Sequence, residues 1–266
     1  MIVLAVDTCL EPGSVALLRE GGLPEVVPLP PGWRSTALHE EILRLLARHN
    51  LSTSAIDLYA VTVGPGAFTG VRLGLTAVKG LAEVHGKPVV AVSTLEALAG
   101  AAVVCLSRDR KGAGTKDSDK WRVTNDEQEQ PAEGSLATHH SSLVTAFAPV
   151  LDARRGQIFG AVYQATDDEF RSILPETVCA LGSFLAQIQA AGLRAVRFCA
   201  TDWTPFLPEM EAAGWSTRSL IRLSPHLAGI VAQMAVIRFQ QGQGIAALAA
   251  DANYVRASDA ELFWKE

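Results

Sequence analysis

The stretch IVLAVDTCLEPGSVALL (residues 2–18) decides the architecture of this chain. Its opening residues form an apolar run rich in β-branched side chains, which is typical of a buried strand. EPG (11–13) is a turn signal, and residues 14–18 predict a second strand. The two strands together predict a hairpin that carries Asp7 and Thr8 at its mouth.

The second half of the chain repeats this pattern. LVTAFAPVLDARRGQIFGAVY (143–163) predicts a strand, a turn that includes Asp152, and another strand. Two halves that each begin with a hairpin and an acidic residue indicate a duplicated α/β architecture. We therefore expect one lobe over residues 1–104 and a second over residues 143–266, whose terminal segment packs back on the body.

The segment between these halves differs in composition. Residues 107–142 are polar, carry charges of both signs and contain few side chains able to build a core. Such a segment cannot bury enough apolar surface to offset the entropy lost on ordering. We expect residues 105–142 to form a mobile surface insertion.

Composition also limits the partners and the compartment. Apolar residues make up 48% of the 266 residues, which indicates a mostly globular chain. The net charge of −5 argues against a protein that grips RNA or DNA by itself, because phosphate binding usually needs a basic surface. The four cysteines form no C-x-x-C pair, and neither a signal peptide nor a membrane span is expected. We expect a cytoplasmic protein with reduced thiols and no metal site.

Helical and strand patterns alternate along the rest of the chain. Apolar spacing with capping residues predicts the helices, and apolar β-branched runs predict the strands. The predicted helices cover residues 35–50, 71–86, 181–192 and 225–242, and a further helix begins at residue 94. The predicted strands cover residues 23–29, 56–63, 88–93 and 195–200.

The stretch TVGPGAFTGVRLGLTAVKG (62–80) places a glycine loop between a predicted strand and a predicted helix. A Walker loop needs G-x-x-x-x-G-K-[ST] and a dinucleotide fingerprint needs G-x-G-x-x-G, and this loop fits neither spacing. Its position at a helix N-terminus leaves anion binding open. The residues expected to shape the loop are Gly64, Pro65, Gly66, Phe68 and Thr69.

The helix after the loop carries small residues on one side. Gly70, Gly74, Ala77 and Gly80 fall at helical spacing. Glycine inside a helix costs about 1 kcal/mol relative to alanine, so a close approach of another backbone is the expected reason for it. Two interpretations stay open: the helix packs tightly on its own sheet, or it offers a face to another protein or to a second copy of this chain.

Several motifs together resemble the bacterial TsaB family, also known as YeaZ. MIVLAVDTCLEPGSVALL is followed by His39 on a helix, by VGPGAFTGVRLGLTAVKGLA with PVVAVSTLEALA, and by LDARRGQIFGAVY. The similarity covers most of residues 1–100, resumes near residues 145–163 and touches NYVRA near the end.

This resemblance implies the actin-like ATPase fold, also called the ASKHA or Hsp70-like fold, in two similar lobes with mixed sheets flanked by helices. It also implies a role in forming N6-threonylcarbamoyladenosine at position 37 of tRNA. In the family the chemistry is attributed to a paralogue, TsaD, which pairs with TsaB through two N-terminal helices, and the ATPase TsaE joins the pair. We therefore expect a non-catalytic scaffold that forms a homodimer when alone, with tRNA contact indirect or unknown.

With this resemblance, we expect the partner surface on the helices at 35–50 and 70–85. Its expected residues are Leu38, His39, Ile42, Leu45, Leu46, Gly70, Arg72, Leu73, Gly74 and Ala77. The paralogue binds metal through two histidines, and the positions that match them here are Thr94 and Leu98, which provide no imidazole.

An enzyme of the same fold is the alternative. Asp7, Thr8 and Asp152 lie where ATPases of this fold hold Mg²⁺-linked phosphates, so Asp7 and Asp152 are the candidate carboxylates of an ATPase or an ATP-dependent phosphotransferase. The resemblance favours a reduced site. On that interpretation the chain requires no cofactor, and ATP, ADP or Mg²⁺ binds only weakly or at a complex interface.

Overall fold

The first half of the chain forms a five-stranded mixed sheet in a computed structural model that describes residues 1–30, 32, 35–110, 146–165 and 170–255. Strand β1 pairs antiparallel with β2 and parallel with β4, and the order across the sheet is β3-β2-β1-β4-β5. The strands are β1 (Ile2–Asp7), β2 (Ser14–Arg19), β3 (Glu25–Pro28), β4 (Leu58–Thr62) and β5 (Val89–Val92). The predicted hairpin is confirmed, and the proline-bearing β3 lies at the sheet edge.

The second half forms another five-stranded sheet with the same topology. Its strands are β6 (Ala146–Arg154), β7 (Gln157–Ala165), β8 (Phe170–Cys179), β9 (Val196–Ala200) and β10 (Leu220–Arg222), in the order β10-β9-β6-β7-β8. An antiparallel meander of three strands is followed by two parallel strands, as in the first sheet. The expectation of two similar lobes is therefore confirmed.

Helices lie on both faces of each sheet. They are α1 (Ser35–Arg48), α2 (Phe68–His85), α3 (Thr94–Arg110), α4 (Leu181–Ala190), α5 (Leu207–Ala212) and α6 (Ala228–Gln240). One core joins α1 and α2 to the outer face of the first sheet, and another joins α4 and α5 to the outer face of the second. The central core lies between the two sheets and contains α3 and α6.

Each of the two central helices packs on the sheet formed by the other half of the chain. Helix α6 packs on β1 and β2 of the first sheet, whereas α3 packs on β6 and β7 of the second. The N–H of Ala228 at the start of α6 donates to the hydroxyl of Ser14 at 3.1 Å. Arg238 near its end donates to the carboxylate of Glu96 on α3 at 2.8 Å. Polar contacts thus fix both ends of α6.

The apolar stripe of α1 faces the protein's own sheet. Leu38, Ile42, Leu45 and Leu46 are at most 2% exposed and belong to the core beneath β1 and β4. This burial contradicts the expectation that these four leucine and isoleucine side chains contact a partner. The exposed side of α1 carries His39 and Leu43 instead.

Several boundaries differ from the sequence predictions. Helix α3 continues to Arg110, into the segment predicted to be an insertion, because its apolar residues extend past residue 102 and pack in the central core. The rest of that insertion lies outside the described residues. Strands β8 and β10 and helix α5 have no sequence prediction. Among the described residues, no helix is both long enough and apolar enough to cross a membrane.

Candidate functional site

The glycine loop before α2 is shaped by contacts with its own chain. A methyl group at Gly66 would lie 2.5 Å from the carbonyl oxygen of Cys9, and one at Gly64 would lie 2.9 Å from that of Asn253. Gly64 also has a φ of 104°, in the region that favours glycine. The N–H of Ala67 donates to the carbonyl of Cys9 at 3.0 Å. The loop therefore packs against the β1–β2 turn and the last residues of the described chain.

The small residues of α2 are likewise explained by contacts within the chain. A methyl group at Gly70 would lie 2.0 Å from the carbonyl oxygen of Thr8, and one at Gly74 would lie 2.2 Å from the hydroxyl of Thr8. Both glycines are buried against the end of β1. Their predicted contact with a partner is contradicted, because the close approach that they permit is to their own lobe.

Other predicted interface residues remain accessible. His39 and Arg72 are exposed, and Leu73 and Ala77 are half-buried on α2. Of the residues predicted to shape the loop, Phe68 and Thr69 begin α2 and are exposed, while Pro65 is buried. The accessible side of α2 is therefore the side opposite Gly70 and Gly74.

Most of the exposed large apolar side chains belong to α2 and to a segment near the end of the described chain. Among the described residues, six large apolar side chains are exposed, and four of them lie on α2 or on residues 245–255, here called the strap. We define these four as the apolar patch: Phe68, Val84, Leu248 and Tyr254. Val84 is 79% exposed and Leu248 is 72% exposed, so the patch has no cover within the described chain.

The strap is bound to α2 and to the first sheet. Ile245 exchanges two backbone hydrogen bonds of 2.9 Å with Val89 on β5. The ammonium group of Lys79 on α2 donates to the carbonyl oxygens of Leu248 at 3.1 Å and Ala250 at 2.8 Å. These hydrogen bonds hold the strap against the first lobe.

A cation and two aromatic rings join the strap to the start of α2. The guanidinium carbon of Arg72 lies 3.8 Å from the ring centroid of Phe68. Its Nε donates to the hydroxyl of Tyr254 at 2.9 Å, and the rings of Phe68 and Tyr254 are 5.6 Å apart. Such cation–π and aromatic contacts hold half-exposed rings in one arrangement, which suits a recognition surface.

The predicted nucleotide-site residues are not brought together. Asp7 is fully buried, and its Oδ1 accepts from the hydroxyl of Thr62 at 2.7 Å and the N–H of Cys9 at 3.1 Å. Burial raises the pKa of Asp7 from 3.8 to about 6, against the lowering effect of its hydrogen bonds. The hydroxyl of Thr8, also buried, donates to the carbonyl of Gly70. Both side chains are engaged within the first lobe.

Asp152 lies in a different environment. Its carboxylate is exposed near the end of β6, where it accepts from the N–H of Arg154 at 2.7 Å and forms an ion pair with the same residue. Asp7 and Asp152 share no described contact. A metal–phosphate complex held between them requires a rearrangement that exposes Asp7.

The positions matched to metal-binding histidines are also buried. Thr94 and Leu98 are fully covered at the start of α3. Within the part of the chain that the structure describes, no group of three or more histidine, cysteine, aspartate or glutamate side chains is placed to hold a metal ion.

A polar cluster between the lobes was missed by the sequence analysis. The carboxylate of Glu176 on β8 accepts hydrogen bonds from Ser93, from Tyr163 and from Asn253 in the strap. Glu176 lies in a strand without clear apolar alternation, so no sequence signal pointed to it. The cluster is the polar link between the second sheet, the end of β5 and the strap.

The fold defines the class of protein. Two lobes, each with a mixed sheet of the same strand order and helices on both faces, form the actin-like or ASKHA architecture. A family described as "TsaD: tRNA N6-adenosine threonylcarbamoyltransferase" matches residues 34–109, which span α1 to α3.

Within this class, individual relatives and solved structures resemble the chain. The chain is 25% identical to "tRNA threonylcarbamoyladenosine biosynthesis protein TsaB" of Bacillus subtilis, with 100% of this chain and 99% of that protein covered. It is 35% identical to the Escherichia coli protein of the same name, over 63% of this chain and 57% of that protein. The solved structure "YeaZ from Pseudomonas aeruginosa" superposes with a TM-score of 0.66 at 25% identity, covering 95% of this chain and all of that one. The chain is thus similar to TsaB/YeaZ proteins in sequence and in fold.

Proposed function

We propose that this chain is an accessory subunit in the biosynthesis of tRNA threonylcarbamoyladenosine and that it binds a TsaD-type catalytic subunit. The names of its relatives support the pathway. The apolar patch on α2 and the strap carries the argument for a partner, because these two segments hold four of the six large apolar side chains exposed in the described part of the chain, and exposed apolar surface marks protein-binding sites. The chain then contributes a surface rather than catalytic groups.

The surroundings of the patch fit a protein partner. Arg72 lies over Phe68, and among the described residues it forms no salt bridge with a carboxylate. Arginine and aromatic side chains are the residues that most often dominate the energy of protein interfaces. We expect a partner helix with apolar residues for the patch and a carboxylate for Arg72. A second copy of this chain is the competing occupant of the same surface.

Binding to the partner tests the proposed surface directly. Val84→Glu introduces a charge at a position that is 79% exposed, so the fold is retained while a buried interface would lose affinity. Leu23→Glu, at an exposed position before β3, is the matched control. Calorimetric titration of a purified TsaD-type subunit should give at least about tenfold weaker binding for Val84→Glu and unchanged binding for Leu23→Glu. Equal affinity of both variants would place the interface elsewhere.

Reconstitution tests the role itself. A TsaD-type subunit, a TsaE-type ATPase, threonylcarbamoyl-adenylate and tRNA are combined with and without this chain, and the modified nucleoside is quantified by mass spectrometry. We expect modification only when the chain is present, and a reduced yield with Val84→Glu. Equal modification without the chain would refute the accessory role.

A further inference from the structure

The carboxylate of Glu176 gathers three segments of the chain. Its Oε1 accepts from the hydroxyl of Tyr163 on β7 at 2.7 Å and from the hydroxyl of Ser93, which follows β5. Its Oε2 accepts from the side-chain amide of Asn253 at 2.6 Å. Charge-assisted hydrogen bonds to a half-buried carboxylate are among the stronger polar contacts in proteins.

The donors around Glu176 are themselves fixed. The hydroxyl oxygen of Ser93 also accepts from the N–H of Leu95 at 3.1 Å, which leaves its proton for Glu176. Tyr163 is buried, and its pKa lies well above the usual range because of burial and the nearby Glu176 carboxylate, so its hydroxyl remains a donor. The carboxylate therefore occupies a site built for an acceptor.

Asn253 connects this site to the strap. Its backbone N–H donates to the carbonyl of Val63 at 2.7 Å, and its carbonyl oxygen lies over Gly64. The next residue is Tyr254, which contacts Phe68 and Arg72 in the apolar patch. Two consecutive residues thus join the polar cluster between the lobes to the proposed binding surface.

We propose that Glu176 is a positioning residue that sets the register of the strap through Asn253, and so couples the second lobe to the shape of the apolar patch. The part of this inference that concerns a partner rests on the proposed function. The part that concerns the strap rests on the hydrogen bonds of Glu176 alone. Loss of the Glu176–Asn253 contact should loosen Tyr254 without touching any residue of the patch.

The side-chain chemistry allows a reciprocal test. Asn253→Asp removes the amide donor and places two carboxylates against each other, so it should break the contact through the lost hydrogen bond and like-charge repulsion. Glu176→Gln in the Asn253→Asp background restores a donor opposite an acceptor. Glu176→Gln alone should be tolerated, since the amide of Asn253 can rotate to accept from glutamine. Glu209→Ala removes another hydrogen-bonded carboxylate of the second lobe, away from the strap, and serves as the control.

Hydrogen exchange of the backbone N–H of Asn253 and of residues 68–73 is measured in the full chain without a partner. Asn253→Asp should speed exchange of the backbone N–H at position 253 by at least about tenfold. The double variant Glu176→Gln/Asn253→Asp should return this exchange to the wild-type rate. Glu209→Ala should leave it unchanged. Unchanged exchange in Asn253→Asp, or failure of the double variant to restore it, would overturn the positioning role.

Titration with the TsaD-type subunit then tests the coupling. Asn253→Asp should weaken binding, and the double variant should recover it. If Val84→Glu abolishes binding while Asn253→Asp binds normally, the proposed function stands and the coupling is refuted. If wild-type chain does not bind at all, the proposed function fails, and the exchange experiment alone decides the role of Glu176.

Discussion

The hydroxyl of Thr8 donates a hydrogen bond of 2.7 Å to the carbonyl oxygen of Gly70, across 62 positions of sequence. The same hydroxyl lies 2.2 Å from where a methyl group at Gly74 would stand. Helix α2 therefore packs directly against Thr8, and the absence of side chains at the two glycines allows the short distance between the helix and the end of β1. The consequences for stability differ between the two glycines.

We expect Gly74→Ala to destabilise the protein by about 1–3 kcal/mol, the usual range for overpacking. Gly70→Ala should cost more, because it meets the backbone oxygen of Thr8 rather than a side chain. Gly80→Ala on the same helix has nothing within 4 Å and should stabilise by up to about 1 kcal/mol. Urea unfolding of the three variants provides the measurement.

Thr8→Ala separates these two effects. It removes the hydroxyl that Gly74→Ala would meet, so the double variant should be more stable than the sum of the single changes predicts. Thr8→Ala combined with Gly70→Ala should show no such relief, since the Thr8 carbonyl remains. Additive behaviour in both pairs would contradict the contact geometry.

Asp7 predicts a specific pH dependence. Its folded pKa of about 6 lies above the ordinary 3.8, so the folded state binds the proton more tightly than the unfolded state does. Stability from this group therefore rises as pH falls from about 7 to 4 and is lost again as pH rises through 6. Relative to Asp7→Asn, the wild type should gain up to about 3 kcal/mol over that fall. A pH-independent difference between the two proteins would show that burial does not control the titration of Asp7.

Arg238 makes two contacts that lysine cannot reproduce together. Its Nη1 donates to the carbonyl of Ala91 at 3.0 Å, and its Nη2 donates to Glu96 at 2.8 Å. Arg238→Lys should lower the free energy of unfolding by about 1–2 kcal/mol, because a planar guanidinium that donates in two directions is replaced by a compact ammonium group. Arg44→Lys, at a side chain that is 64% exposed and pairs with Glu40 and Glu41 of the same helix, should change stability by less than about 0.5 kcal/mol. Thermal unfolding with equal losses in the two variants would disprove the distinction.

The cysteines should differ in reactivity. Burial and the charge of Asp7 raise the pKa of Cys9 to about 12, and burial also raises the pKa of Cys199. Cys105 and Cys179 are partly exposed. A thiol reagent at pH 8 should modify these two first, and Cys9 and Cys199 only on unfolding. Mass mapping that finds Cys9 among the fast sites would contradict the buried geometry.

The helices and strands of the first lobe could be predicted from local sequence patterns. The β1–β2 hairpin, α1 and α2 follow from apolar runs, turn residues and caps close together in sequence. The sequence also indicates that Leu38 and Ile42 are buried, but an amphipathic stripe has the same pattern whether it faces its own sheet or a partner. The structure resolves this ambiguity in favour of the protein's own core.

Contacts between residues far apart in the sequence could not be predicted from local patterns. Asp7 stands at the mouth of a hairpin, a position that favours exposure, yet the start of α6 lies against it. Strand β8 contains Pro175 and is half-exposed along much of its length, so it lacks the alternation of a typical strand. Glu176, the centre of the inter-lobe cluster, lies in that strand and was missed with it.

Helix α6 covers one face of the first sheet, although it follows the strands of that sheet by a long stretch of sequence. Its Gly229 lies against Val26, where a methyl group would come within 2.7 Å of the valine side chain. A ribosome must add the 135 residues between Val92 and Ala228 before this helix can cover the first sheet. At 5–20 residues per second, that interval lasts roughly 7–27 s. During translation the nascent first lobe therefore presents an uncovered apolar sheet face, which makes it a natural client for ribosome-associated chaperones.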